Sequence, residues 1–175
     1  KKNQPLNDWI VEELSSKYNE TVNLVVRNGD QVVFLNKIDS SHQYRMDIAV
    51  GTSHPIYCTA QGKAIIAFRP EHERGAFCDN MKNVKAFSAR TITTPKAFKE
   101  EIAAIRRRGF AINQEEYFAG MSGVAAPVFD YSGFAVYSIS VAGPSERMPM
   151  NMLLRMGEDL KRVCGEVSAI LGRTE

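Results

Sequence analysis

Apolar residues along this chain recur with two periods, one suited to helices and one to strands, and the switches between them lay out the expected elements. Leu6, Trp9, Ile10 and Leu14 fall at helical spacing and predict an amphipathic helix lasting to about Tyr18. Thr21 to Val26 and Gln31 to Ile38 are rich in β-branched residues and flank Asn28-Gly29, the dipeptide best suited to the positive backbone angles of a tight turn. They predict a hairpin. Tyr44, Met46, Ile48 and Val50 alternate with polar or small residues and predict a third strand, closed by Gly51 and Pro55. Thr59 to Phe68, with Ala60, Ala64, Ile65 and Ala67, suits a helix packed tightly on a sheet and ended by Pro70. A short helix is expected over Glu71 to Cys78.

Thr94-Pro95 pairs an N-cap hydroxyl with proline at the first helical position, and Phe98, Ile102 and Ile105 form the stripe that a helix would bury before Gly109 stops it. Phe110 to Ile112 then reads as a strand and Asn113 to Gly120 as a polar loop. Val124 to Phe129, the Ser132-Gly133 turn and Phe134 to Val141 predict a second hairpin. Pro149 opens a last helix in which Met152, Met156, Leu160, Val163, Val167 and Ile170 keep helical period. This order describes one mixed α/β (α+β) layer structure with a sheet that is at least partly antiparallel.

The chain has 175 residues, 44% of them hydrophobic, which suits one globular domain. Its 22 basic and 20 acidic residues leave a net charge of +2, without the cationic excess expected of an autonomous nucleic-acid binder. No apolar run reaches bilayer-spanning length, and Lys1-Lys2-Asn3-Gln4-Pro5 has no hydrophobic signal core behind it, so a soluble, cytoplasmic protein without membrane contact is expected. Cys58, Cys78 and Cys164 are odd in number and match neither a disulfide framework nor a zinc cluster; reduced thiols are expected. Because the first residue is Lys and the helical pattern is under way by Leu6, the segment reads as a piece of a longer protein.

Candidate chemistry is thin. Cys58 precedes a helix N-terminus and His54 lies four residues upstream, which sketches a Cys–His nucleophile, but no orienting carboxylate or oxyanion motif accompanies them. His42, His54 and His72 are too scattered to define a metal site. Gly62-Lys63 lacks the upstream glycine of a phosphate loop, and Lys63 is expected to be solvated or capping. Arg106, Arg107 and Arg108 stand in the last turn of a helix, where its dipole favours cations, rather than forming a nucleic-acid patch. Glu115-Glu116 has no nucleophile beside it and reads as a loop anchor, and the Met148, Met150, Met152 and Met156 group serves core filling or an oligomer contact equally well. No motif calls for a cofactor.

Several short segments in fixed order carry a resemblance: Thr59-Ala60-Gln61-Gly62-Lys63-Ala64, Arg108-Gly109-Phe110-Ala111, and Glu115-Glu116 with Gly120. Ala125-Ala126-Pro127-Val128-Phe129-Asp130 and Ser138-Ile139-Ser140 running into Gly143-Pro144 complete the set. Together they resemble the effector-binding domain of IclR-family bacterial transcription regulators, over essentially the whole chain, residues 1–175. The resemblance implies a GAF-like or profilin-like fold, a central antiparallel sheet with helices on its faces, and no enzyme. It also implies a winged helix-turn-helix upstream of Lys1, absent from this chain, that would meet operator DNA as a homodimer or homotetramer.

The same resemblance carries over an effector pocket. Ala60 and Gln61 match amides that hold an effector carboxylate, in keeping with the free N–H groups and positive dipole end of a helix N-terminus. The family often has Gly-Ala there, so Gln61 adds a longer polar side chain. Asn113 stands where some members carry Asp and can both donate to and accept from an effector hydroxyl or carboxylate. Gly123 replaces a common Cys, Ala142 a second Ser, and Met46 and Met121 match apolar walls. Ser140 keeps the family's hydroxyl and by alternation shares a face with Ser138, Val136 and Phe134. The losses at Gly123 and Ala142 predict a roomy pocket for a small organic acid effector larger than a two- or three-carbon oxoacid, aromatic or sugar-derived. A ligand sensor is the favoured function; a stand-alone GAF-like interaction module and a Cys58-based enzyme or redox sensor are the alternatives.

Overall fold

Two groups of helices cover opposite faces of one antiparallel sheet, and the division follows from the side to which each strand residue points. The computed structural model describes residues 12–173. Residues 12–18 are helical (α1), with Leu14 buried; Leu6, Trp9 and Ile10 of the expected first helix lie outside the described residues. There follow β1 (Thr21–Asn28), β2 (Gln31–Ile38), β3 (Ser53–Pro55), α2 (Ala60–Ala67), α3 (Glu71–Asp79) and α4 (Pro95–Arg108). The chain continues through β4 (Ala111–Gln114), β5 (Met121–Phe129), β6 (Ala135–Pro144), a 3-10 turn (Ser145–Arg147) and α5 (Met150–Ile170). The strands run in the order β3-β2-β1-β6-β5-β4, each antiparallel to its neighbours.

On one face Val25, Ala111, Ala125 and Ala135 meet Ala64, Ile65, Phe98, Ile102 and Ile105 from α2 and α4. On the other, Val22, Val124, Ile139 and Val141 meet Leu14 of α1 and Leu153, Met156, Leu160 and Val163 of α5. Small residues set how closely the layers approach. A Cβ on Gly62 would lie 2.4 Å from the Ile56 Cα, and one on Gly157 would lie 2.3 Å from the Phe110 ring. α4 is bounded as its sequence predicts: the Thr94 side chain accepts from the Ala97 N–H, Pro95 takes the first turn, and Gly109 ends the helix at φ +91°.

Four details depart from the sequence reading. Residues 44–50 form no strand: Tyr44 and Val50 are 61% and 55% exposed, and the Met46 carbonyl accepts from the Thr21 hydroxyl rather than from a ladder. The third strand comes later, because the chain reverses at Gly51 (φ +89°) and only then pairs with β2. The first hairpin turns one residue late, about Gly29 and Asp30, since Asn28 pairs with Gln31 and Gly29 alone of the two takes positive φ. β4 runs on to Gln114 and β5 starts at Met121, so the polar loop between them is only residues 115–120. A bulge between Val128 and Phe129, opposite Val136, then switches the face of β6. Ser138 and Ser140 therefore share their side with Ala135 rather than with Val136, and Phe134 lies outside the strand.

The glycines of α5 should respond oppositely to alanine. Gly157→Ala is expected to destabilise by ~1–2 kcal/mol, the overpacking against Phe110 outweighing the gain in helix propensity. Gly165→Ala, exposed and with nothing within 4 Å of the new Cβ, should stabilise by ~0.5–1 kcal/mol. Thermal or urea unfolding of both checks the pair; equal signs would contradict the packing of α5 on Phe110.

Candidate functional site

A cavity of about 40 Å³ lies where the N-terminus of α2 meets the sheet. The strand register explains what floors it. Ala142, Gly123 and Asn113 form one row across β6, β5 and β4, and Asn23, Ser140 and Ala125 form the next across β1, β6 and β5. All eight residues implied by the resemblance, Met46, Ala60, Gln61, Asn113, Met121, Gly123, Ser140 and Ala142, line this one cavity.

The α2 terminus is built by Thr59, whose extended backbone and side chain cap the helix, its Oγ1 accepting from the Gly62 N–H at 3.2 Å. The Lys63 N–H bonds the Thr59 carbonyl. The amides of Ala60 and Gln61 are left as first-turn donors with no partner among the described residues. Their local field favours an anion.

The expectation of a roomy pocket is not met. The cavity is small although Gly123 and Ala142 line it, and the Gln61 side chain reaches across to the sheet, its Nε2 donating to the Ser140 Oγ at 2.9 Å. Aromatic rings cover the rest. His54 stacks edge-on against Phe34 at 4.9 Å and against Phe118 at 5.6 Å, and Tyr117 lies 4.8 Å from it. Burial holds the His54 imidazole below its usual value, hence neutral.

Asn113 is already engaged. Its Nδ2 donates to the Cys58 carbonyl at 2.7 Å and its Oδ1 accepts from the Glu116 N–H at 3.0 Å, leaving one N–H and one lone pair for a ligand. It ties the end of β4 to the segment entering α2 and to the loop over residues 115–120. Lys63 holds that loop from the other side. Far from being solvated, Lys63 is 1% exposed; its ammonium donates to both Glu116 carboxylate oxygens, at 2.7 and 3.0 Å, to Glu101 and to the Ile112 carbonyl. Glu116 is thus the loop anchor that its sequence context predicted. Burial pushes its carboxyl above the usual range, against the pull of Lys63.

The nucleophile reading of Cys58 loses its footing. The thiol is buried and pushed up to about 12, burial being the main cause, and His54 is committed to the aromatic cluster. Among the described residues no group of three or more His, Cys, Asp or Glu is placed to hold a metal. Two of the three arginines ending α4 bond backbone, Arg106 to the Ala67 carbonyl and Arg108 to that of Phe110, which suits the structural reading of that run. The methionines divide: Met148 and Met156 are core, and Met150 is exposed.

Sequence reasoning missed Asn23, His54, Tyr117 and Phe118, all of which line the cavity. Asn23 had a signal, a lone carboxamide inside the β-branched run Thr21-Val22-Asn23-Leu24-Val25. Tyr117-Phe118 had one too, an aromatic pair in an otherwise polar loop.

Comparison with known proteins places this arrangement in context. The family model described as bacterial transcriptional regulator IclR C-terminal matches residues 6–169. The probable transcriptional regulator SauR of Cupriavidus necator is 35% identical over 158 residues, covering 90% of this chain and 62% of that protein. The HTH-type transcriptional regulator KdgR of Escherichia coli is 30% identical over 165 residues, covering 94% and 62%. Among solved structures, the Thermotoga maritima IclR superposes with a TM-score of 0.91 at 28% identity, covering 98% of this chain and 69% of that one. The C-terminal domain of Escherichia coli KdgR gives 0.83 at 28% identity, covering 96% and 97%. The chain spans less than two thirds of the length of these curated relatives.

Lys63→Met should destabilise the fold by ~3–5 kcal/mol, because it strands a buried carboxylate. A carboxyl held above its ordinary value adds stability at low pH and loses it as the pH rises. The deficit of the variant, followed by thermal unfolding, should therefore shrink as the pH falls from about 8 to about 5. In the folded chain Cys58 should resist iodoacetamide at about pH 8 and react only on unfolding, which mass spectrometry reads directly. Rapid labelling of the folded chain would restore the thiol chemistry.

Proposed function

The chain belongs to the IclR family of bacterial transcriptional regulators, as a C-terminal domain, and on that premise we propose that it is the ligand-sensing part of a DNA-binding regulator whose effector is a small organic acid. The observation that carries this reading is the pair of amides, Ala60 and Gln61, which have no partner among the described residues and open at a helix N-terminus onto a cavity floored by polar and small side chains. The effector carboxylate sits on these amides. Its remainder lies along the sheet over Ser140, Gly123 and Ala142, between the Met46 and Met121 walls.

Entry requires movement, since the cavity as it stands has room for little more than a water or two. Gln61 leaves Ser140, and the Tyr117-Phe118 cover shifts with the loop over residues 115–120. The binding free energy then biases one arrangement of the domain over another, which is the only requirement for an effect on attached DNA-binding segments. Such segments lie in the part of the regulator outside this chain, as the greater length of the relatives supports. Operator DNA is met through them, by a homodimer or homotetramer.

The test is a thermal-shift screen against a panel of small organic acids, in which one chemical class should raise the melting temperature with concentration. Ala60→Pro then probes the carboxylate contact. Proline is tolerated at a first helical position and Thr59 already has the extended backbone that it requires, so the change deletes one N–H without altering the helix start, and thermal unfolding of the variant separates that loss from the packing of the larger ring at this buried position. Acid binding should weaken by about 2 kcal/mol, the worth of one hydrogen bond to a charged group. Unaltered affinity in titration calorimetry would move the carboxylate elsewhere.

A further inference from the structure

Resting on that reading, we infer that Asn23 is the specificity contact for a hydroxyl on the bound acid, so that the site selects hydroxylated carboxylic acids over plain ones. Asn23 is fully buried in β1 and lines the cavity, yet neither its Nδ2 nor its Oδ1 has a hydrogen-bond partner among the described residues. Four buried side-chain polar atoms among the described residues lack a partner, and three of them belong to Asn23 and Ser138, on the same face of adjacent strands. Buried amides left this way cost stability, so a carboxamide kept here without partners points to a group that arrives from outside.

Its surroundings define that group. Asn23 stands directly across from Ser140 in the β1–β6 ladder, and Ser140 is the residue that Gln61 reaches from the α2 terminus. An acid anchored by its carboxylate at Ala60 and Gln61 thus points its chain along Ser140 toward Asn23. A carboxamide offers a donor and an acceptor together, which a hydroxyl can satisfy in both senses, whereas a ligand carbonyl answers only the N–H and an alkyl chain answers neither. Asn23 carries no charge, so it adds no repulsion or attraction for the acid itself. Met46, Ile48 and Phe34 supply the apolar flank.

The experiment compares valerate with its singly hydroxylated derivatives by titration calorimetry and thermal shift, on the wild-type chain and on Asn23→Val and Asn23→Ser. In the wild type at least one hydroxylated form should bind about tenfold more tightly than valerate. Asn23→Val should bring that preference below about twofold while leaving valerate within about threefold of its wild-type affinity. Asn23→Ser, which keeps a hydroxyl, should retain part of the preference. Without ligand, Asn23→Val should keep or raise the melting temperature; a fall of several degrees would show that the carboxamide serves the fold and overturn the inference. Equal binding of valerate and all its hydroxylated forms, a preference that survives Asn23→Val, or no binding by any of these probes would overturn it too. The acid panel and Ala60→Pro judge the sensing reading separately, so the two can fail independently.

Discussion

The site depends on one buried ammonium. Lys63 projects from α2, and its contacts with Glu101, the Ile112 carbonyl and Glu116 join that helix to α4, β4 and the following loop, 38, 49 and 53 residues further along the chain. Taking such a charge out of water is expensive unless its partners are fully placed, so the geometry around it is closely specified. Through Glu116 it fixes the loop that carries Tyr117 and Phe118 over the cavity, and Asn113 repeats the tie from the cavity side. The anchor and the cover are neighbours in one short loop.

The second requirement is thinness of side chains between α2 and the sheet. Ala60, Ala64, Ala111 and Ala125 leave little between backbone and backbone, and Gly62 lies against Ile56 where no other residue would fit. A helix held this low presents its N-terminal amides at the level of the strand side chains rather than above them. Bulkier residues would lift the anion-favouring end away from Ser140 and Asn23, and the same residue types would no longer converge.

Much of this was readable from periodicity. Strict capping signals at Thr94, Pro95 and Gly109 and the helical stripe of Phe98, Ile102 and Ile105 fixed α4 closely, because they act within one or two turns. The eight residues carried over by family resemblance do meet at one cavity. What could not be read was whatever depends on distant partners. Ile48 is buried as its alternation with Met46 predicts, but no pattern shows whether a neighbouring backbone is there to pair with, and none is. The bulge opposite Val136 reverses sides without leaving a mark on composition. Lys63 looked like a surface lysine because both of its acidic partners come from elsewhere in the chain. The pocket volume is hidden for a related reason: small residues at Gly123 and Ala142 are plain in the sequence, whereas the bond that draws Gln61 across to Ser140 is not.

That reach makes Gln61 a tethered competitor. Its amide occupies the Ser140 hydroxyl at an effective concentration set by covalent attachment, and any acid that needs the same hydroxyl must displace it. If the closed form is favoured by about one hydrogen bond, ~1 kcal/mol, only about one molecule in six is open, and apparent affinity falls by roughly that factor. In the proposed sensor, position 61 would therefore set the concentration needed for a response without altering which molecule gives it. On the proposed reading, sensitivity and selectivity would reside on different elements, the first on a helix and the second on the strands beneath it.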